Sequence, residues 1–305
     1  MIEGQEGVSW DEWVALARAC EDNGLEALFR SDHYGSLLAA GRGSLDAWAT
    51  LAGLAAVTGR IRLGTMVSPT TFRHPSVLAK TAATVDHISG GRVELGLGAG
   101  WNEREHRAYG FPFPPVGERI ELFSEQLELV HRQWTEDEVD FSGGRYRTEG
   151  LTALPRPVQR PRPTLIVGGS ARPGTVGPAV HFADEYNTIF VSAEECAERR
   201  RRLDEACRAA GRDPSTLTFS LMTGCVLGRD EAELHDRVRR VIERMGRDGD
   251  PAAFVREHAE TWILGTLEQV RARLAEYERA GVERVMLQHL DHADLGAVEL
   301  MGQLA

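Results

Sequence analysis

A chain of 305 residues, 42% of them hydrophobic, can bury a large core, and its 32 glycines and 13 prolines are ordinary for a folded protein rather than a disordered one. Its formal charge of -11 at pH 7 repels phosphate backbones and anionic lipid surfaces, which argues against nucleic acid and membrane as partners and favours a small-molecule substrate. Cys20, Cys196, Cys207 and Cys225 show no zinc or redox spacing, no apolar run has the roughly 20 residues of a membrane helix, and the N-terminus has no signal-peptide pattern, so a reduced, cytoplasmic protein is expected.

In chain order, helical periodicity over 10–23 precedes a strand-length apolar run at 27–31. A helix at 45–58, a strand at 61–67, a helix at 75–88 and a strand at 93–97 follow. Beyond a helix at 118–134, strands are expected at 165–167, 186–191, 217–222 and 285–290, separated by helices at 175–182, 193–210, 230–245 and 267–280. Gly24, Gly59, Gly90, Gly211 and Gly281 each follow a last helical turn, where a left-handed residue is expected. Two stretches read as insertions: 137–163, with a hairpin-like segment and then a proline-rich lead-in, and 246–265, rich in charge.

Such alternation is the pattern of βα units around a parallel sheet. The expected fold class is α/β, a single (β/α)8 TIM barrel over 1–305 with insertions, and a doubly wound sheet is the alternative. Seven strands are visible and an eighth is presumed. Ahead of the first helix only Met1-Ile2 offers strand character, so the first strand is expected to be short or truncated, with this start inside a longer one.

Chemistry in a barrel gathers where strands end. The first visible strand ends in Ser31-Asp32-His33-Tyr34, an acid beside the one side chain that titrates near neutral pH, or else a cap beside a surface histidine. The next ends in Thr65-Met66-Val67-Ser68-Pro69, a site for a bulge under a cofactor or simply a strand leaving the barrel. After it, Gly96-Leu-Gly98-Ala99-Gly100-Trp101 would let a ligand plane approach closely beside an aromatic wall. This run fails the dinucleotide pattern after Gly98. Gly168-Gly169-Ser170-Ala171-Arg172 precedes a helix, leaving amides and a helix N-terminus for a phosphate, with a plain glycine turn as the alternative. Glu103, Glu105 and His106 read as a solvated face, and none of the ten histidines lies in a zinc motif, so no metal is expected.

Taken together, Phe29-Arg-Ser-Asp-His-Tyr, the run from Arg60 to Pro75, Ser89-Gly-Gly-Arg-Val-Glu-Leu-Gly-Leu-Gly-Ala-Gly-Trp-Asn, Tyr109-Gly-Phe-Pro-Phe-Pro-Pro-Val-Gly-Glu-Arg, 161–169 and Ala183-Asp-Glu-Tyr-Asn resemble the luciferase-like monooxygenase family. The resemblance is greater to its branch dependent on coenzyme F420. It implies a non-prolyl cis peptide between Met66 and Val67 that props the deazaflavin ring, with His33 at the ring's reactive edge beside Asp32 and a phosphate loop over Gly168 to Arg172. Glu3 would be the carboxylate at the end of the first strand, and a homodimer is a further implication. Trp101 stands where sugar-phosphate dehydrogenases of the family carry a glutamate, which speaks against that substrate class. The implied activity is hydride transfer between coenzyme F420 and a small organic substrate. The alternatives are an FMN-dependent monooxygenase using reduced flavin and oxygen, and a non-catalytic flavin-binding protein.

Overall fold

Apolar runs and amphipathic stretches become regular elements in the computed structural model, which describes residues 1–304. The first half comprises α1 (Trp10–Asp22), β1 (Ala27–Arg30), α2 (Ala47–Val57), β2 (Arg62–Pro69), α3 (Pro75–Ser89), β3 (Val93–Gly98), α4 (Glu103–Tyr109) and α5 (Val116–Thr135). A hairpin of β4 (Val139–Ser142) and β5 (Arg147–Leu151) leads to β6 (Thr164–Gly168), α6 (Pro173–Phe182), β7 (Glu185–Ile189) and α7 (Ala193–Ala209). The chain continues through β8 (Thr218–Gly228), α8 (Glu231–Arg244), α9 (Pro251–His258), β9 (Ile263–Thr266), α10 (Leu267–Arg279), β10 (Arg284–Gln288) and α11 (Leu295–Gly302).

Local chemistry sets the boundaries. Ser9 and Glu12 form a capping box at the start of α1, whose apolar face buries Trp13, Leu16, Ala17 and Cys20. Pro75 opens α3 and Gly90 ends it in the left-handed conformation at φ 68. Gly59 departs from expectation: α2 ends on an extended Thr58, and the Gly59 amide donates instead to the Glu21 carboxylate. The four cysteines are buried and unpaired, and among the described residues no helix is long and apolar enough to cross a membrane.

The strands pair in parallel in the order β1-β2-β3-β6-β7-β8-β10, with β9 on the far end of β8. Closure comes from Met1 and Ile2. The Ile2 amide donates to Phe29 O at 2.9 Å and Ile2 O accepts from Ser31, while the Met1 ammonium donates to Leu287 O at 2.9 Å and Met1 O accepts from His289. These two residues take the place of the eighth stave, and the sheet becomes a barrel. Its strands read as near-continuous apolar runs because helices cover the outside while side chains fill the inside.

Inside, the barrel is layered. At the floor the Arg284 guanidinium donates to Glu94 at 2.7 Å and to Glu185 at 3.1 Å, and Arg62 donates to Glu94 at 2.5 Å. Above it lies an apolar layer of Met1, Phe29, Met66, Ile166, Met222 and Met286. The second expected insertion contains α9 and β9, which pack on β8 and extend one side of the barrel above the rim. Unlike its sister strands, β8 runs eleven residues to reach them.

Candidate active site

The carboxyl rim is where β2 breaks its register. Thr65 pairs with Leu95, yet Ser68 pairs with Leu97, so two residues of β2 bulge where one of β3 stands opposite. The bulge is the Met66–Val67 pair, joined by a non-prolyl cis peptide. Met66 points into the apolar layer. The Val67 side chain lies across β3 and β6, where a Cβ on Gly98 would come within 2.7 Å of Val67 Cγ2 and one on Gly168 within 3.1 Å of Cγ1. Gly98 and Gly168 therefore make room for this valine, while Gly96 chiefly makes room for the Thr65 carbonyl of β2, so the protein itself occupies space beside these glycines.

Thr65 and Ser68 brace the bulge from below. Ser68 Oγ donates to Asp32 Oδ2 at 2.6 Å and accepts from Trp48 Nε1, and Thr65 Oγ1 donates to Gly96 O. Asp32 is buried with both oxygens engaged, because Arg73 adds a bidentate pair at 2.5 and 3.1 Å. In this structure it is a tie between the end of β1 and the end of β2.

His33 follows on the rim. Its Nδ1 lies 2.7 Å from Glu105 Oε2, and Glu105 Oε1 accepts from the Tyr34 and Gly35 amides, so a carboxylate with only acceptor capacity fixes the proton on Nδ1. Nε2 has no partner among the described residues and is the ring's free face. Burial disfavours the imidazolium, but the hydrogen bond and charge of Glu105, with Glu3 and Asp32 behind it, outweigh that and hold its pKa above the ordinary histidine value. Burial likewise acts on Glu105 in the opposite sense to His33 and the two amides, which win and keep its carboxyl below the usual range. Glu105 and His106 thus correct the solvated-face reading: both are buried, on a helix capped by Asn102 that lies across the loop after β1. Trp101 stands 67% exposed, its ring edge-on to His33 at 5.9 Å.

Glu3 joins the same rim, accepting from Gln288 at 2.6 Å and from Gln5 at 2.6 Å. Next along, β6 delivers Gly168 and Gly169, and the turn continues through exposed Ser170 to Ala171, at φ 52 with its amide bound to the Tyr186 hydroxyl. Arg172 is exposed and gives α6 no side-chain cap, so the amides of Ser170, Arg172 and Gly174 find no acceptor among the described residues. Open amides at a helix start are the chemistry of an anion site. Glu3, His33, the bulge, Gly98 to Trp101 and the α6 turn all lie on one rim.

Comparison with known proteins identifies the family and the fold. The luciferase-like monooxygenase family matches residues 2–284. An F420-dependent glucose-6-phosphate dehydrogenase of Nakamurella multipartita is 34% identical over 64% of this chain and 60% of its own length. Curated relatives at 35% identity are matched over 58% of their length. Among solved structures, a monooxygenase of Streptomyces bottropensis superposes with a TM-score of 0.83 at 26% identity, covering 99% of this chain and 94% of the other. The coenzyme F420-dependent tetrahydromethanopterin reductase of Methanopyrus kandleri shares the fold with a TM-score of 0.81 at 22% identity, over 99% and 96%. A barrel with this rim, matched along nearly its whole length, belongs to the luciferase-like monooxygenase family.

Proposed function

We propose that the protein is an oxidoreductase that binds coenzyme F420 across the barrel mouth and passes a hydride between its ring and a small organic substrate. The observation that carries this reading is His33, clamped at Nδ1 by buried Glu105 and free at Nε2 on the rim. The chain's residues fit the cofactor: the α6 turn leaves three amides and Arg172 for a phosphate, and Val67 and Trp101 supply apolar surface for a planar ring.

When bound, the deazaflavin donates or accepts the hydride, and the protein orients it and moves the proton. In the reducing direction His33 gives its Nε2 proton to the substrate oxygen as the hydride reaches the adjoining carbon. In the oxidising direction Nε2 takes the hydroxyl proton, and Glu105 steadies the imidazolium that results. Glu3 adds negative charge near the same ring.

A second reading, an FMN-dependent monooxygenase, is favoured by the likeness to the Streptomyces monooxygenase. Ultraviolet–visible titration of cofactor-free protein with coenzyme F420 and with FMN separates the two. Binding of F420 with turnover that His33→Ala abolishes is the expected result, and exclusive binding of FMN ends the F420 reading.

A further inference from the structure

Across the barrel from His33 stands a second wall. In the closed order of eight staves, β7 lies four places from β1 and β8 four places from β2, so the ends of β7 and β8 face His33 and the Met66–Val67 bulge over the mouth. Two aromatic residues meet there. Phe190, the first residue past β7, has φ 49 and its amide donates to Met222 O at 3.0 Å. A bulky side chain rarely takes the left-handed conformation, and glycine or asparagine would occupy it freely, so the phenyl ring is held there for the space it fills. It packs at once on the apolar layer inside the barrel and on the apolar cluster of α8, α9 and β9.

Its neighbour is Trp262, 6.1 Å away between ring centroids. Met222 points into the barrel, and by strand alternation Gly224 does too. A Cβ on Gly224 would lie 2.2 Å from the Trp262 ring, so the indole sits directly against the inner face of β8, one layer above Met222. Phe254 and His258 hold it from behind, edge-on at 5.4 and 5.0 Å. Leu290 belongs to the same apolar cluster, and its carbonyl accepts from the Arg244 guanidinium at 2.7 Å.

We propose that Phe190 and Trp262 form the substrate-facing wall and restrict the site to small, uncharged carbonyl compounds and their alcohols, with Phe190 setting the size of the apolar body. The inference rests on the hydride-transfer reading, which places the reacting carbon between this wall and His33. A phosphate or carboxylate on the part of the substrate that meets this wall would bury its charge against two aromatic rings.

The test compares wild type, Phe190→Ala, Phe190→Gly and Trp262→Phe on cyclic ketones of increasing ring size, alongside carboxylated and phosphorylated analogues. Reduced coenzyme F420 is the hydride donor. Binding of the same compounds to cofactor-free protein is followed by saturation-transfer NMR. Phe190→Gly retains the left-handed backbone without a side chain, so a failure of Phe190→Ala to fold leaves the test intact. In wild type, kcat/KM for small ketones should exceed that for charged analogues by at least about a hundredfold. Both Phe190 variants should shift the optimum to larger rings by about tenfold or more per added methylene. A preference for the charged analogues, or a size profile that neither Phe190 variant moves, overturns the proposal. Size-dependent ketone binding without F420 turnover would uphold the wall while ending the F420 reading.

Discussion

Gly98→Ala puts the packing of the bulge to direct test. The added Cβ would lie 2.7 Å from Val67 Cγ2 but 3.8 Å from Val67 Cβ, so the clash is with one methyl group of one side chain. Forcing a methyl group into so tight a contact costs about 1–3 kcal/mol. Val67→Ala alone removes two half-buried methyls and costs about 1 kcal/mol. In the double variant the offending methyl is gone and the remaining separation is an ordinary contact, so the two losses should fail to add by about 1–2 kcal/mol. Urea melts of the four proteins, followed by circular dichroism, measure the cycle. Strictly additive losses would show that Val67 is not what occupies the space above Gly98, and the account of the glycine run would fail.

Glu105→Gln keeps the shape of the clamp and removes its charge, so the His33 pKa should fall back from its raised position, as an NMR titration of the ring would reveal; an unmoved midpoint refutes the clamp. The sign follows from the raised value: stabilisation by this pair is complete below the ordinary histidine pKa of 6.5 and is lost as pH climbs through the folded-state value. Arg284→Met leaves Glu185 without a guanidinium in the barrel floor and Glu94 with Arg62 alone, and should cost about 3–5 kcal/mol at pH 7. That penalty should shrink as the pH is lowered and the carboxylates protonate; melts that show no such convergence refute the floor network. Arg172→Ala removes an exposed charge while the three open amides stay, so F420 affinity should weaken no more than about fivefold, an effect that salt diminishes. A hundredfold loss by calorimetry would make the side chain, rather than the backbone, the anchor.

Much of the barrel was legible because strand-length runs such as Val93 to Gly98 lie between helical periods that obey elementary rules of burial and capping. The two-residue stave was anticipated as a shortage of strand, but its bonds to Phe29, Ser31, Leu287 and His289 depend on partners more than 25 positions away. Glu105 reads as solvated in the sequence because acids on a short helix look so until the helix is laid over the loop that carries His33. Gly98 and Gly168 stand out in the sequence as places for close approach, though a missing side chain does not disclose which neighbour needs the space. Phe190 and Trp262 carry no motif. Their importance lies in one dihedral angle and one glycine, Gly224, neither of which has a signature along the chain.

The ion-paired base of the barrel has a bearing on where protons travel. Guanidiniums and carboxylates are locked together there, with thioether and phenyl groups stacked on top. His33 stands at the opposite end of the barrel from that charged base, so under the proposed reading its acid–base exchange would run through the mouth, and a ligand seated there would govern its hydration.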